Sequence, residues 1–283
     1  MKVAIEYSGH LRFIQETYPL LNKMIVSNEP IEFYIFIHTW DESKIEDIEY
    51  MRNIIRPKRF IIDKQKNFER HPYTYINSSI TEDEYKNDEN RLRWNAQWVE
   101  THPDYVKHFV EVPSPNNNYK FDKDSEVVKI DYYSHFPYNS LCMFYSIHQV
   151  HMLAMSYKQE HDISYDFVIR LRSDWVPFYS INLSLLDKNK ISIIDANPHP
   201  GEFGKYSVND HIGIGNEKNM TIYTDLFVYL PVYYFIFKLD WINEILLGFH
   251  LQYNNINLDK LPRHFKLLRY PERESDIIKM PTK

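Results

Sequence analysis

The sequence is poor in cysteine. Among its 283 residues it has one, Cys142, so no disulfide can form within the chain. A chain without disulfides suits a reducing compartment. The N-terminus, Met1 to Ile5, has neither the basic segment nor the long apolar stretch of a secretion signal. We therefore expect a cytoplasmic protein.

Glycine is also scarce, and its placement excludes several familiar sites. The six glycines form no G-x-G-x-x-G after a predicted strand and no G-K-[ST], which argues against a dinucleotide-binding fingerprint and a P-loop. No G-x-S-x-G stretch indicates a serine hydrolase, and Cys142 lies in an apolar helical pattern where a thiol is normally inert.

Excess positive charge and long apolar runs are missing as well. The formal net charge is -6, whereas general binding of nucleic acid needs clustered positive charge, so we expect no nucleic-acid partner. No apolar run approaches the roughly 20 residues of a spanning helix. The nearest run, 226–239, is interrupted by Pro231, and we expect no transmembrane segment.

The apolar segments that are present predict an α/β protein. Strand-like runs at 3–7, 31–38 and 59–62 alternate with helical patterns, as in an open, mostly parallel sheet flanked by helices. Further strands are predicted at 167–171, 191–194 and 212–215, with a last edge strand at 265–269, and helices at 140–157, 217–228 and 242–253. We expect a single domain with a nucleotide-binding half at 1–62, an insertion at 63–137 and a half for metal and acceptor at 138–283.

The richest strand end is Arg170-Leu171-Arg172-Ser173-Asp174. Ligands bind beyond the carboxyl ends of strands in open α/β sheets. Guanidinium groups grip phosphate oxygens in pairs, and an Asp at a strand end is a natural ligand for Mg²⁺ or Mn²⁺. A diphosphate site is one interpretation. An arginine paired with a neighbouring carboxylate, with Asp174 capping a turn, explains the same residues equally well.

Two earlier strand ends carry a similar set of side chains: Ser8, Gly9 and Arg12 after the first strand, and Thr39, Trp40 and Asp41 after the second. The glycine lets backbone approach a ligand closely, and the arginine adds positive charge at a helix start. The tryptophan could stack on a nucleoside. Taken alone, an ordinary turn or a buried tryptophan with a capping aspartate explains each segment as well.

Other candidates lie in the second half. Asp210 precedes the strand at 212–215 and is a candidate general base for an acceptor hydroxyl, with a turn aspartate as the alternative. Glu244 and His250, on the late helix, are candidates for the acceptor side. His148 and His151 have a spacing that can bind zinc, but no further cluster completes a tetrahedral set. Trp94 and Trp98, four apart, could stack on a sugar, although such a pair is more often core.

Four segments in this order resemble one family: Ser8 to Arg12, Phe36 to Asp41, Tyr165 to Asp174 and Asp210 to Gly215. Their pattern, s-G-x-x-R, f-i-H-t-W-D, y-D-x-v-i-R-x-R-x-D and D-x-x-x-x-G, is similar to that of a group of bacterial and large-virus glycosyltransferases. The group includes WavE-type lipopolysaccharide enzymes and the GT-A domains of chlorella-virus glycosyltransferases.

The resemblance implies a GT-A fold, a nucleotide-sugar donor of the UDP or GDP type, a glycan or other hydroxyl acceptor, and a divalent cation, Mn²⁺ or Mg²⁺. It puts Asp174 in the place of the last Asp of the D-x-D metal motif, with Arg170 and Arg172 lining the donor site. Arg172 stands where that motif usually has its first Asp, which leaves one carboxylate for the metal.

Two other functions stay open. One is a non-catalytic carbohydrate- or partner-binding protein on a degenerate GT-A scaffold, which the missing first carboxylate favours. The other is a nucleotidyltransferase that makes the activated sugar, although its glycine-rich, lysine-bearing N-terminal loop is absent.

Overall fold

The structure is a computed structural model that describes residues 1–64, 80–81, 127–128, 136–195, 206–235 and 242–268. In chain order the strands are β1 Lys2–Ser8, β2 Ile25–Val26, β3 Glu32–Trp40, β4 Arg59–Asp63, β5 Ile80–Thr81, β6 Val127–Val128, β7 Phe167–Leu171, β8 Trp175–Pro177, β9 Ile181–Asn182, β10 Ile191–Ile194, β11 Ile212–Gly215, β12 Leu258–Leu261 and β13 Phe265–Leu267.

The α-helices are α1 Ile14–Thr17, α2 Leu21–Met24, α3 Ile45–Tyr50, α4 Phe136–His161, α5 Glu217–Thr224, α6 Leu226–Phe235 and α7 Asn243–Tyr253. Short 3₁₀ turns cover Tyr18–Leu20 and Leu183–Leu185, and a π-helical turn covers Met51–Ile55. Within the described part of the chain, no helix has the length and apolar character needed to cross a membrane.

Seven strands form the central sheet, in the order β12-β10-β11-β7-β1-β3-β4. β1 pairs in parallel with β3 on one side and β7 on the other, and β4 continues the parallel set beyond β3. Only β11 runs against its neighbours, β7 and β10. The predicted α/β class, an open and mostly parallel sheet flanked by helices, is confirmed.

The core lies on both faces of this sheet because side chains alternate along each strand. In β1, Val3 and Ile5 belong to one buried cluster with Trp175, while Ala4 belongs to the other with Phe144. The second cluster includes a stripe of α4 residues, Leu141, Phe144, Ile147, Val150 and Ala154, spaced for one helical face. Met152, by contrast, is 51% exposed.

Two element predictions need correction. The helix predicted at 217–228 is two helices, α5 and α6, separated at Asp225. The strand predicted as the edge of the main sheet, β13, pairs instead with β8 in a separate two-stranded sheet. The strand at this edge of the main sheet is β12, and β4 is at the opposite edge. β12 was not predicted because its sequence, Leu-Asp-Lys-Leu, lacks a continuous apolar run.

Helix α7 packs so closely on the segment before β11 that it needs a glycine. A Cβ on Gly248 would lie 1.5 Å from the Tyr206 carbonyl oxygen, which is backbone and cannot rotate away. At Gly215 a Cβ would press on the side chains of Ile191 and Met220 at 3.3 Å, and its distance of 3.5 Å to the Lys190 carbonyl oxygen is an ordinary contact.

We expect Gly248→Ala to lower the free energy of unfolding by about 3 kcal/mol or more, since overpacking forces the backbone to shift. Gly215→Ala, the matched control, should cost clearly less because side chains can yield. Urea unfolding of both variants tests this, and equal losses would contradict it.

His250 is buried within the core at 1% exposure. Its Nε2 lies 2.6 Å from the Ile222 carbonyl oxygen and its Nδ1 lies 2.5 Å from the Tyr233 hydroxyl oxygen, so both ring nitrogens are engaged. Burial lowers the pKa of His250 to about 4. The unfolded chain therefore takes up a proton on this residue at a higher pH than the folded protein does.

His250 should make the protein less stable in acid. Its contribution is fully present above the ordinary histidine pKa of about 6.5 and is lost as the pH falls towards 4, with a full effect on the order of 3 kcal/mol. His250→Gln cannot titrate there, so its unfolding free energy should fall less over that range than that of the wild type. The control is His264→Gln, at an exposed histidine, whose unfolding free energy should depend on pH as in the wild type. If the unfolding free energies of all three proteins changed equally with pH, His250 would not be the group responsible.

Candidate functional site

A cavity of about 320 Å³ lies at the carboxyl ends of β1, β3 and β7. Its described lining comes from four segments of the chain. These are the end of β1 and the turn that follows (Ser8, Gly9, His10 and Arg12), the end of β3 (Trp40), α4 (Cys142 and Met143), and the end of β7 with the residues that follow (Arg170, Arg172, Ser173 and Asp174). The structure therefore brings the three strand ends named from the sequence to one cavity.

The cavity lies at the point where the strand order reverses. From β1 the chain adds β3 and then β4 on one side, and it later returns to add β7 on the other side of β1. The crevice at such a switch point is the usual ligand site of an open α/β sheet.

The first wall of the cavity is the turn after β1. Gly9 has φ +92°, a left-handed conformation that side chains rarely adopt. Its N–H points to the Ser146 Oγ of α4 at 2.7 Å and to the His38 carbonyl oxygen at 3.1 Å. The neighbouring Ser8 Oγ is buried with no hydrogen-bond partner within the described structure. The turn is fixed, and it leaves one hydroxyl available to a ligand.

Ser146 and His38 belong to a buried network behind this turn. The Ser146 Oγ lies 2.8 Å from His38 Nδ1, and His38 Nε2 lies 3.4 Å from an Asp63 carboxylate oxygen that accepts a hydrogen bond from the Tyr145 hydroxyl. The order Ser–His–Asp is that of a hydrolase triad, but Ser146 and His38 are both fully buried. Their arrangement supports the turn and gives no access to a substrate.

The second wall is the end of β7, where Arg170 is buried at 1% exposure. Its Nε and Nη1 have no hydrogen-bond acceptor among the residues the structure describes. The pKa of Arg170 is lowered by burial, which outweighs the opposing effect of the nearby Tyr223 and Asp210. On the adjacent strand Gly213 lies opposite Arg170, and a Cβ there would come within 2.9 Å of the Tyr223 ring. The glycine thus makes room for the aromatic ring beside the guanidinium group.

Arg172 and Asp174 form a two-pronged ion pair in this wall. Arg172 Nε donates to Asp174 Oδ1 at 2.8 Å and Nη2 donates to Oδ2 at 2.9 Å. Burial lowers the pKa of Arg172, but the bond and charge of Asp174 outweigh burial and raise it. Both carboxylate oxygens therefore face a guanidinium group.

Hydrogen bonds join the two walls. The Ser173 hydroxyl donates to the His10 carbonyl oxygen at 2.9 Å, and the Thr17 hydroxyl donates to the Ser173 carbonyl oxygen at 2.7 Å. Arg12 lines the cavity from an exposed position. The segments after β1 and β7 are therefore fixed to each other by hydrogen bonds to backbone carbonyl oxygens.

The residues predicted after β3 do not all reach the cavity. Trp40 lines it but is only 2% exposed and stacks on Tyr145, so it offers little surface to a base. Thr39 is fully buried, with its Oγ1 at 2.8 Å from the Ser43 Oγ. Asp41 is exposed and outside the lining.

The second-half candidates divide in the same way. The backbone N–H of Arg172 donates to the His211 carbonyl oxygen at 3.3 Å, and this bond brings the neighbouring Asp210 to the end of β7. Asp210 is 5% exposed and does not line the cavity. Glu244 is half-buried, and its charge raises the pKa of Arg172. His250 lies in the core with both ring nitrogens engaged, so the structure does not bring it to the acceptor side.

The metal prediction finds no ligand set among the described residues. No group of three or more His, Cys, Asp and Glu side chains there is arranged to hold an ion. Asp174 is held by Arg172 in an ion pair, whereas the alternative interpretation had Asp174 capping a turn. His151 Nδ1 lies 2.9 Å from Glu6 and its Nε2 lies 3.0 Å from the Thr221 hydroxyl, which accounts for this histidine without zinc. Trp94 and Trp98 lie outside the described residues.

Two described lining residues, Cys142 and Met143, lie outside the segments singled out from the sequence, and two more, His10 and Ser173, lie within those segments but were not named as site residues. The two from α4 had an available signal. A helix that precedes a parallel strand runs back along the sheet, so its first turns lie over the carboxyl ends of the strands. Cys142 and Met143 are in the N-terminal part of the helix that leads to β7.

Comparison with known proteins yields little. No family model matches the chain, and no curated protein matches its sequence. The crystal structure of mouse xyloside xylosyltransferase 1, in its apo form, is similar over 92% of this chain and 85% of that one, with a TM-score of 0.39 and 10% identity. At that TM-score and identity the similarity carries no argument about activity.

Proposed function

We propose that the protein is a GT-A-type glycosyltransferase that binds a UDP- or GDP-sugar between the ends of β1 and β7 and transfers the sugar to a hydroxyl group of a glycan or similar acceptor. The observation that carries the proposal is the pair Arg170 and Arg172 at the switch point of the sheet, across the cavity from the Ser8–Gly9 turn. The four ordered segments that resemble glycosyltransferases include both of these walls.

The charge of the cavity supports an anionic ligand. The whole chain carries a formal charge of -6, yet the lining has three arginines, Arg12, Arg170 and Arg172, and one carboxylate. A recessed site of one charge raises the local concentration of an oppositely charged ligand. A cavity of 320 Å³ also lies within the range of about 300–1,000 Å³ that ligand pockets occupy.

The arginines suit the departure of a nucleoside diphosphate. When the bond between the anomeric carbon and the phosphate oxygen breaks, its electron pair stays on the diphosphate, and guanidinium groups stabilise that charge. A bond forms between the acceptor oxygen and the anomeric carbon, and the hydroxyl proton must go to a base. Asp210 remains our candidate base for an inverting reaction, because it lies beside the end of β7.

A second candidate function is binding of a nucleotide-sugar without transfer. One observation favours it: among the described residues, Asp174 is the sole carboxylate in the lining, and it is held by Arg172. Transfer to an acceptor separates the two functions. An enzyme releases free nucleoside diphosphate in proportion to acceptor glycosylated, whereas a binding protein leaves the donor intact.

A donor should stabilise the folded protein, by about 2.7 kcal/mol at a concentration one hundred times its Kd. We expect a UDP- or GDP-sugar to raise the melting temperature, with a dTDP-sugar included in the panel. Arg170→Met should abolish the rise because it removes the buried phosphate-binding group. Without ligand, this variant should be no less stable than the wild type, since an unpaired buried charge is costly.

Arg59→Met is the control, because Arg59 pairs with Glu160 on α4 and lies outside the cavity lining. Its melting temperature should rise with donor as in the wild type. Should Arg170→Met fold poorly, the exposed Arg12→Ala variant tests the same cavity and should show a smaller rise. Absence of any donor-induced shift in the wild type, with and without Mn²⁺, would contradict the proposed function.

A further inference from the structure

We infer that guanidinium groups, and not a divalent cation, balance the charge of the bound diphosphate, and that Asp174 is a positioning residue for Arg172. The inference rests on the proposed function, which supplies the diphosphate. It departs from the metal dependence that the sequence resemblance implies, and it assigns a different task to the carboxylate of that motif.

The charge of the lining matches that of the ligand. Among the described residues that line the cavity, three guanidinium groups and one carboxylate leave an excess of two positive charges. A nucleoside-diphosphate sugar carries one negative charge on each of its two phosphates, so the side chains already match it. A divalent ion in the same space would add charge that the ligand does not require.

Asp174 is already engaged by a guanidinium group. It is 3% exposed, and its two oxygens accept hydrogen bonds from Arg172 at 2.8 and 2.9 Å. A cation bound to this carboxylate would lie against the guanidinium charge or displace it. In the described residues no second and third ligand stand ready to compensate, because no cluster of three metal-binding side chains occurs.

The arginines have more N–H donors than their described contacts use. Arg170 is buried and lines the cavity, and its Nε and Nη1 have no acceptor within the described structure. A guanidinium group has five N–H donors in a rigid fork that fits phosphate in a bidentate way. Arg172 gives Nε and Nη2 to Asp174, which fixes its plane and leaves Nη1 outside that pair.

Asp174 therefore acts through Arg172, in the way that an outer carboxylate orients a group that binds a ligand. Asn in its place keeps an oxygen that can accept from Arg172 but removes a negative charge from the cavity. Ala removes both. If Asp174 held a cation, the two substitutions would weaken binding together, because neither side chain is an anionic ligand.

The test is calorimetric titration of the full chain with UDP and with GDP, in excess EDTA and in excess Mn²⁺. For whichever nucleotide binds, we expect the Kd in EDTA to be within about threefold of the Kd in Mn²⁺. Arg172→Met should weaken binding in EDTA by about tenfold or more, since hydrogen bonds between charged groups are lost. Arg59→Met is the matched control and should bind like the wild type.

The pair of Asp174 variants gives the sharper result. We expect Asp174→Asn to tighten binding in EDTA by about threefold and Asp174→Ala to weaken it, since only asparagine still orients Arg172. A general loss of folding would weaken both, so the conservative variant separates positioning from structural damage. Melting temperatures of the free variants, measured in parallel, show whether each is folded.

The outcomes separate the inference from the proposed function. Binding that requires Mn²⁺ and is lost in both Asp174 variants overturns the inference and leaves the glycosyltransferase proposal standing. Binding in EDTA without transfer to any acceptor supports the inference and favours the non-catalytic function. No binding of either nucleotide in either buffer overturns both.

Discussion

The structure is built around a guanidinium group buried at the end of a β-strand. Arg170 lies in the middle of a seven-stranded sheet, and two of its nitrogens have no acceptor within the described structure. Burying a charge without full pairing costs free energy, and apolar packing elsewhere must offset it. Two apolar clusters, one on each face of the sheet, supply that packing. The uncompensated hydrogen-bonding groups are then available to whatever anion enters the crevice between β1 and β7.

The antiparallel strand β11 completes this site in two ways. β11 runs antiparallel to β7 and begins where β7 ends, so His211 lies opposite Arg172, with Asp210 next to it in the chain. The strand also places Gly213 opposite Arg170, where the absence of a side chain admits the Tyr223 ring. A parallel strand at this position would carry its leading residues to the other edge of the sheet. The reversal of one strand therefore brings acidic and basic residues to a common edge.

Much of the fold could be predicted from the sequence, because buried parallel strands such as β1 and β7 are mainly apolar, with one charged residue each, Glu6 and Arg170, and are followed by polar residues. The positions of Thr39, Trp40 and Asp41 were harder to predict from the sequence. This strand continues to Trp40, two residues beyond the predicted end, which pairs Trp40 with Asp63 in register and buries Thr39. The predicted acceptor-side position of His250 was wrong because α7 is buried from Ile245 to Leu251, so this polar side chain lies in the core. The Arg172–Asp174 pair could not be decided from sequence, since an ion pair and a metal site use the same residue types.

Pairing of β1 with β7 joins parts of the chain that are far apart: the backbone N–H of Lys2 donates to the Asp166 carboxylate across 164 residues. Closing so long a loop costs conformational entropy before the contact stabilises anything. β1 can pair with β3 much earlier, since Lys2 and Glu32 are close in sequence. The two walls of the cavity therefore come together only when a late, non-local step of folding is complete. A nascent chain that has made β1, β3 and β4 has three strands of the seven-stranded sheet and no anion site, so ligand binding reports on the finished protein alone.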